Sequence, residues 1–153
     1  MSYIENLIKN CVTASQAKPI NTYEVSSIEE ITQLPKMQRA IYVIKLIEGD
    51  ITLTFNDFVS YKATKQRKCA KINKENDILY VGSSTTGLVN RLKQHLGYGH
   101  SGTYALHLSE WFTGKITITI YEYIEDIQVL QIVEDDLSHE LKPAFGKQGG
   151  NNK

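Results

Sequence analysis

The sequence predicts an α+β fold: a small central three-stranded sheet, antiparallel or mixed, flanked by helices and preceded by an N-terminal helical arm. Strand-like stretches carry the first part of that prediction. Residues 40–47 read AIYVIKLI, residues 78–81 read ILYV, and residues 115–124 alternate with Ile116, Ile118 and Ile120 on one face and Thr117, Thr119 and Tyr121 on the other. Helical periods carry the second part. Leu88, Leu92 and Leu96 recur at a spacing of four, and Leu130, Val133, Leu137 and Leu141 form a stripe over residues 128–141 that Pro143 ends.

The chain has 153 residues and a formal net charge of zero. That length suits one domain able to bury a core, and neutrality excludes a global field as the means of attracting a polyanion, which needs a local patch instead. Cys11 and Cys69 form no CxxC and no metal-ligand spacing. With no long apolar run and no leader-like segment, the chain reads as cytoplasmic, without a membrane partner and with reduced thiols.

Taken in order, residues 1–36 form the arm. Ile4, Leu7, Ile8, Cys11 and Val12 give an amphipathic helix that Pro19 stops, and Ser26 or Ser27 caps a short second helix that Pro35 ends. The sequence leaves open whether this arm extends the core, contacts nucleic acid or forms a homodimer surface. Residues 37–153 form the main domain. Residues 51–55 are expected to pair back onto 40–47 as a strand, with Phe55, Phe58 and Val59 in a short helix. Lys62, Lys65, Arg67, Lys68, Lys71 and Lys74 then follow without an intervening acidic residue. Such a run is ordinarily a solvated face, but in a neutral chain it is the concentrated positive patch and suits a phosphate backbone. His100 lies in the turn GYGHSG, and residues 104–112 read as a helix carrying Leu106, Leu108, Trp111 and Phe112. His107 and His139 are expected at the surface.

The chemistry gathers around residues 78–95, ILYVGSSTTGLVNRLKQH. A strand ends in Gly82, Thr85 or Thr86 caps a helix, and Arg91 and His95 share a helix face four residues apart. A cation and an imidazole emerging together beyond a strand end suit phosphate. Gly82 to Gly87 has the spacing of a nucleotide-binding loop, but Leu88-Val89 stands where the Lys-Ser/Thr pair belongs, which removes that chemistry. His95, His100 and His107 lack a metal-ligand spacing. Glu134 falls inside the apolar stripe of the last helix, a costly place for a carboxylate unless it is paired or binds a metal. Taken singly, Tyr42 and Tyr80 read as packing residues and Arg91 as part of a solvated face.

Together these residues resemble the GIY-YIG nuclease family. Ala40-Ile41-Tyr42 stands at the first tripeptide and Tyr80-Val81-Gly82 at the second; Arg91 and His95 in RLKQH match the family's Arg and His, and Glu134 in VEDDLSHELKP matches its glutamate. The resemblance runs from residue 40 to about residue 145. Ala40 replaces the first glycine, and the two tripeptides are separated by a long basic insertion at about residues 48–76. Gly146 stands where an asparagine commonly follows the proline, with Asn151 or Asn152 as substitutes. The resemblance implies a metal-dependent endonuclease acting on DNA, with RNA left open. Tyr42 would be the general base, its pKa depressed by Arg91, the metal or the lysines. Tyr80 would position water or phosphate, Arg91 would hold the phosphoryl charge, and His95 would assist or replace Tyr42. Glu134 would bind Mg²⁺, with Mn²⁺ able to substitute. The basic residues and His100 would receive nucleic acid. The competing reading is a non-catalytic nucleic-acid-binding module on the same fold.

Overall fold

The computed structural model describes residues 1–64 and 67–147. Helix α1 (Tyr3–Gln16) is followed by strand β1 (Asn21–Val25) and helix α2 (Ile28–Thr32). Then come β2 (Ala40–Glu48), α3 (Ile51–Ala63), β3 (Ile78–Ser84), α4 (Leu88–Leu96), β4 (Lys115–Glu122) and α5 (Ile127–Leu141). The α+β class is as expected, but the antiparallel sheet has four strands in the order β1-β4-β2-β3. The added strand comes from the N-terminal region: between its two helices, β1 pairs with β4.

β2 is the axis of the sheet, hydrogen-bonded to β3 on one side and β4 on the other. Strand alternation sends Ala40, Tyr42 and Ile44 to one face, where they join Ile118 and Ile120 in a core with Phe58, Leu92, Leu106 and Phe145. Ile41, Val43 and Val81 project to the other face and are equally buried. α5 packs against β3, and α1 packs against α5. Among the described residues, no helix is long and apolar enough to cross a membrane.

Several local expectations are overturned. Residues 51–55 do not form a strand: Asp50 accepts a hydrogen bond from the Leu53 N–H at 2.8 Å and starts α3 there, so the cap overrides the β-branched content of ITLTF. Between residues 104 and 112 only a 3₁₀ turn forms, Leu108–Glu110; the Trp111 indole N–H donates to the Leu106 carbonyl at 2.7 Å, tying the segment down without a helix. Neither Thr85 nor Thr86 caps α4, whose N-cap is Gly87. His107 is wholly buried rather than exposed. Its Nε2 lies 2.8 Å from the Thr103 carbonyl and 3.0 Å from that of Lys68, so it staples two loops together.

Candidate active site

Four elements, β2, β3, α4 and α5, deliver side chains to one small cavity. In the β2–β3 register Tyr42 lies opposite Gly82 and Ile44 opposite Tyr80, so both tyrosines project from the same face. Their rings stack with centroids 6.1 Å apart and planes 7° from parallel. Gly82 permits this packing, because a Cβ there would lie 2.6 Å from the Tyr42 hydroxyl and 2.9 Å from the Tyr80 ring.

α4 supplies the next pair. Leu88 and Leu92 are driven into the core, and that rotation turns His95, three residues beyond Leu92, inward as well. His95 Nε2 lies 2.9 Å from the Tyr42 hydroxyl, and the Leu106 amide N–H donates to His95 Nδ1 at 3.3 Å. An amide can only donate, so Nδ1 is unprotonated, and the neutral ring carries its proton on Nε2 and gives it to the Tyr42 oxygen. Burial, followed by the charge of Arg91, holds the His95 pKa well below its ordinary value.

Arg91 donates from Nη2 to the Tyr80 hydroxyl and from Nη1 to Gln94 Oε1, each at 3.1 Å, and its charge also acts on Tyr42. Burial works against its charge, but the two phenol oxygens outweigh that effect. Tyr42 departs from expectation. Burial, reinforced by Tyr80, pushes its pKa far above the ordinary phenol value, and Arg91 lowers it without prevailing. Tyr42 is therefore a phenol at rest, with its oxygen accepting from His95.

α5 brings the carboxylate. Glu134 is buried, and its Oε2 accepts from the Gln131 amide at 3.1 Å. Desolvation raises its pKa, partly offset by hydrogen bonds from Ser83 and Gln131. Tyr42, Tyr80, Gly82, Ser83, Arg91, Gln131, Glu134 and Lys147 line a cavity of about 160 Å³. Among the described residues no group of three or more His, Cys, Asp or Glu is placed to hold a metal. The cavity offers one hard carboxylate, which fits an ion that keeps most of its waters, as Mg²⁺ does.

Tyr42, Tyr80, Arg91, His95 and Glu134 thus converge, whereas the basic run is divided. Lys62, Arg67, Lys68 and His100 border a separate cleft with Cys69. Arg67 pairs with Glu110 at 3.0 Å, and Lys62 Nζ donates to the Ala70 carbonyl at 3.0 Å, so both serve the fold. Lys68, Lys71 and Lys74 are exposed, with Lys74 beside His139 and Lys142 in another cleft. Lys65, Asn151 and Asn152 lie outside the described residues. Sequence reasoning missed Ser83, Gln131 and Lys147. Gln131 was within reach, since it stands one helical turn before Glu134; Ser83 and Lys147 carry no periodic signal.

A family model described as GIY-YIG catalytic domain matches residues 70–148, just over half of the chain. The match takes in β3, α4, β4 and α5, and with them Tyr80, Arg91, His95 and Glu134; the Tyr42 strand precedes it. Neither the curated proteins nor the solved structures yield a match.

Proposed function

Because the chain belongs to the family of GIY-YIG catalytic domains, a family of endonucleases acting on nucleic acid, we propose that it is a divalent-metal-dependent endonuclease hydrolysing phosphodiester bonds of DNA. One observation carries this reading: a phenol, a guanidinium and a buried carboxylate from three separate elements line the same small cavity. Hydrolysis needs a base for water, compensation of charge on the phosphoryl oxygens, and help for the departing oxygen.

Tyr42 is the general base in this reading. It works only as the phenolate, reached by loss of the hydroxyl proton to water; the His95 Nε2 donor and the charge of Arg91 stabilise that form while burial opposes it. The lone-pair nitrogen of His95 is occupied by the Leu106 amide, so His95 supports Tyr42 rather than replacing it. Arg91 holds the scissile phosphate through donors left over from Tyr80 and Gln94, and Tyr80 fixes the guanidinium. Glu134 would hold Mg²⁺ or Mn²⁺, which supplies positive charge for the developing oxyanion when bound. Exposed Lys68, Lys71, Lys74 and His100 are free to reach the backbone, whereas Lys62 and Arg67 shape the wall beside them. The same reading puts the protein in the cytoplasm, with Cys11 and Cys69 as free thiols.

Two copies acting together complete the proposal. α1 leaves Ile4, Leu7, Ile8 and Val12 in solvent, and Glu5 and Lys9 stand one turn apart. An antiparallel α1 pair about a two-fold axis near Leu7 brings Glu5 of each copy to Lys9 of the other.

The test is cleavage of supercoiled plasmid, branched DNA and single-stranded DNA with Mg²⁺ or Mn²⁺. Nicking or cutting is expected, lost by at least about a hundredfold in Glu134→Ala and Arg91→Ala while binding survives. Intact substrates in every arm overturn the enzyme reading; salt-sensitive binding without cleavage leaves the binding module.

A further inference from the structure

Among the described residues, Lys147 is the one cavity-lining cation that no motif accounts for. Its main chain is anchored at the rim. The preceding Gly146 N–H donates to the Lys71 carbonyl at 2.7 Å, and the Gly146 carbonyl accepts from Asn73 Nδ2 at 2.9 Å. Gly146 also lies flat on Tyr80, where a Cβ would come within 2.6 Å of the ring. From that fixed root an exposed lysine side chain borders the cavity. Its ammonium rests 5.5 Å from the centroid of the Tyr104 ring, and among the described residues no ion pair engages it.

Charge balance gives this placement meaning. Of the cavity's own side chains Arg91 and Glu134 cancel, so before a metal is bound they leave no net attraction for a phosphodiester. Lys147 tips the balance positive. An exposed cation–π contact is weak and easily exchanged, whereas an ammonium–phosphate hydrogen bond is charge-assisted at both ends. Tyr104 lies beside the catalytic pair, close enough to Tyr80 and Arg91 for its electrostatics to act on both.

We propose that Lys147 contacts the substrate, its ammonium leaving the Tyr104 ring for a phosphate oxygen of the nucleic acid entering the cavity. This rests on the nuclease reading above. The ring holds the lysine at the mouth, and the phosphate takes it over.

Lys147→Ala and Lys147→Arg are compared with the unaltered protein in two assays. One is steady-state cleavage with Mg²⁺; the other is binding of a labelled oligonucleotide in EDTA across a salt series. Lys147→Ala is expected to lower kcat/KM about tenfold, chiefly through KM, since a phosphate contact of this kind acts on bound substrate as well as on the transition state. The slope of log binding constant against log salt should fall by about one contact. Lys147→Arg restores both. Unchanged cleavage and slope in Lys147→Ala overturn the inference, as does equal impairment of both variants with an unchanged slope, which would mark a structural role. If the unaltered protein cleaves nothing, the nuclease reading fails, and the salt slope still decides whether Lys147 meets phosphate.

Discussion

Helices α1 and α4 have similar amphipathic patterns and opposite fates. α4 buries Leu88, Leu92 and His95, and its remaining face sends Arg91 to the cavity. α1 buries no residue: Asn10 and Ala14 are half-covered, while Ile4, Leu7, Ile8 and Val12 stay in solvent. The difference shows that periodicity announces an apolar face but not what covers it. For α4 the cover is the sheet, and the site depends on it. For α1, nothing among the described residues covers Ile4, Leu7, Ile8 and Val12, which is why a second copy is proposed there.

The comparison can be broken most forcefully at Leu92, which is fully buried. Leu92→Ala is expected to cost about 2–5 kcal/mol in chemical denaturation and to lose cleavage as His95 and Arg91 lose their seat. Leu7→Ala should stay within about 0.5 kcal/mol when measured on the monomer. Comparable losses would mean that α1 is integral to the core.

A smaller effect comes from the inward face of α4. Burial holds the His95 pKa down, so the folded protein binds fewer protons there than the unfolded chain. The stability this residue contributes is present above the unfolded-chain value of about 6.5 and is lost as pH falls, by at most about 1.4 kcal/mol per pH unit. The denaturation midpoints of the unaltered protein and His95→Gln should therefore draw together from pH 7.5 to pH 5.5. A constant gap would show that His95 titrates alike in both states. The smallest change in fold stability is expected from Ile8→Lys, within about 0.5 kcal/mol, yet it should shift sedimentation from dimer to monomer. A monomeric unaltered protein at the same concentration would end the dimer proposal.

Much of the site was legible because its chemistry conflicts with its surroundings. A carboxylate in the apolar stripe of α5 and a cation beside an imidazole on α4 both stand out against their periods. The strand β4 was legible because it buries alternate side chains, and β2 and β3 because their continuous apolar, β-branched and aromatic runs are buried on both faces. β1 was not: only Val25 of NTYEV is buried, so its place in the sheet rests on main-chain pairing with β4. His107 was misjudged because its burial depends on two loops that meet only in the fold. The basic run was read as one surface because sequence cannot show that Glu110, far along the chain, takes up Arg67. Tyr42 was expected to be acidified by its cations, but neighbours can be guessed from sequence more readily than the extent of desolvation.

Gly82 and Gly146 have a further consequence. Both press main chain against the tyrosine rings, and at Gly82, which lines the cavity, the wall has no side chain to trim. Substitution there can only add atoms; it can close the cavity but not enlarge it. Engineering for bulkier or differently shaped substrates would have to work through the lining side chains Gln131 and Lys147, leaving the Gly82 wall as it stands.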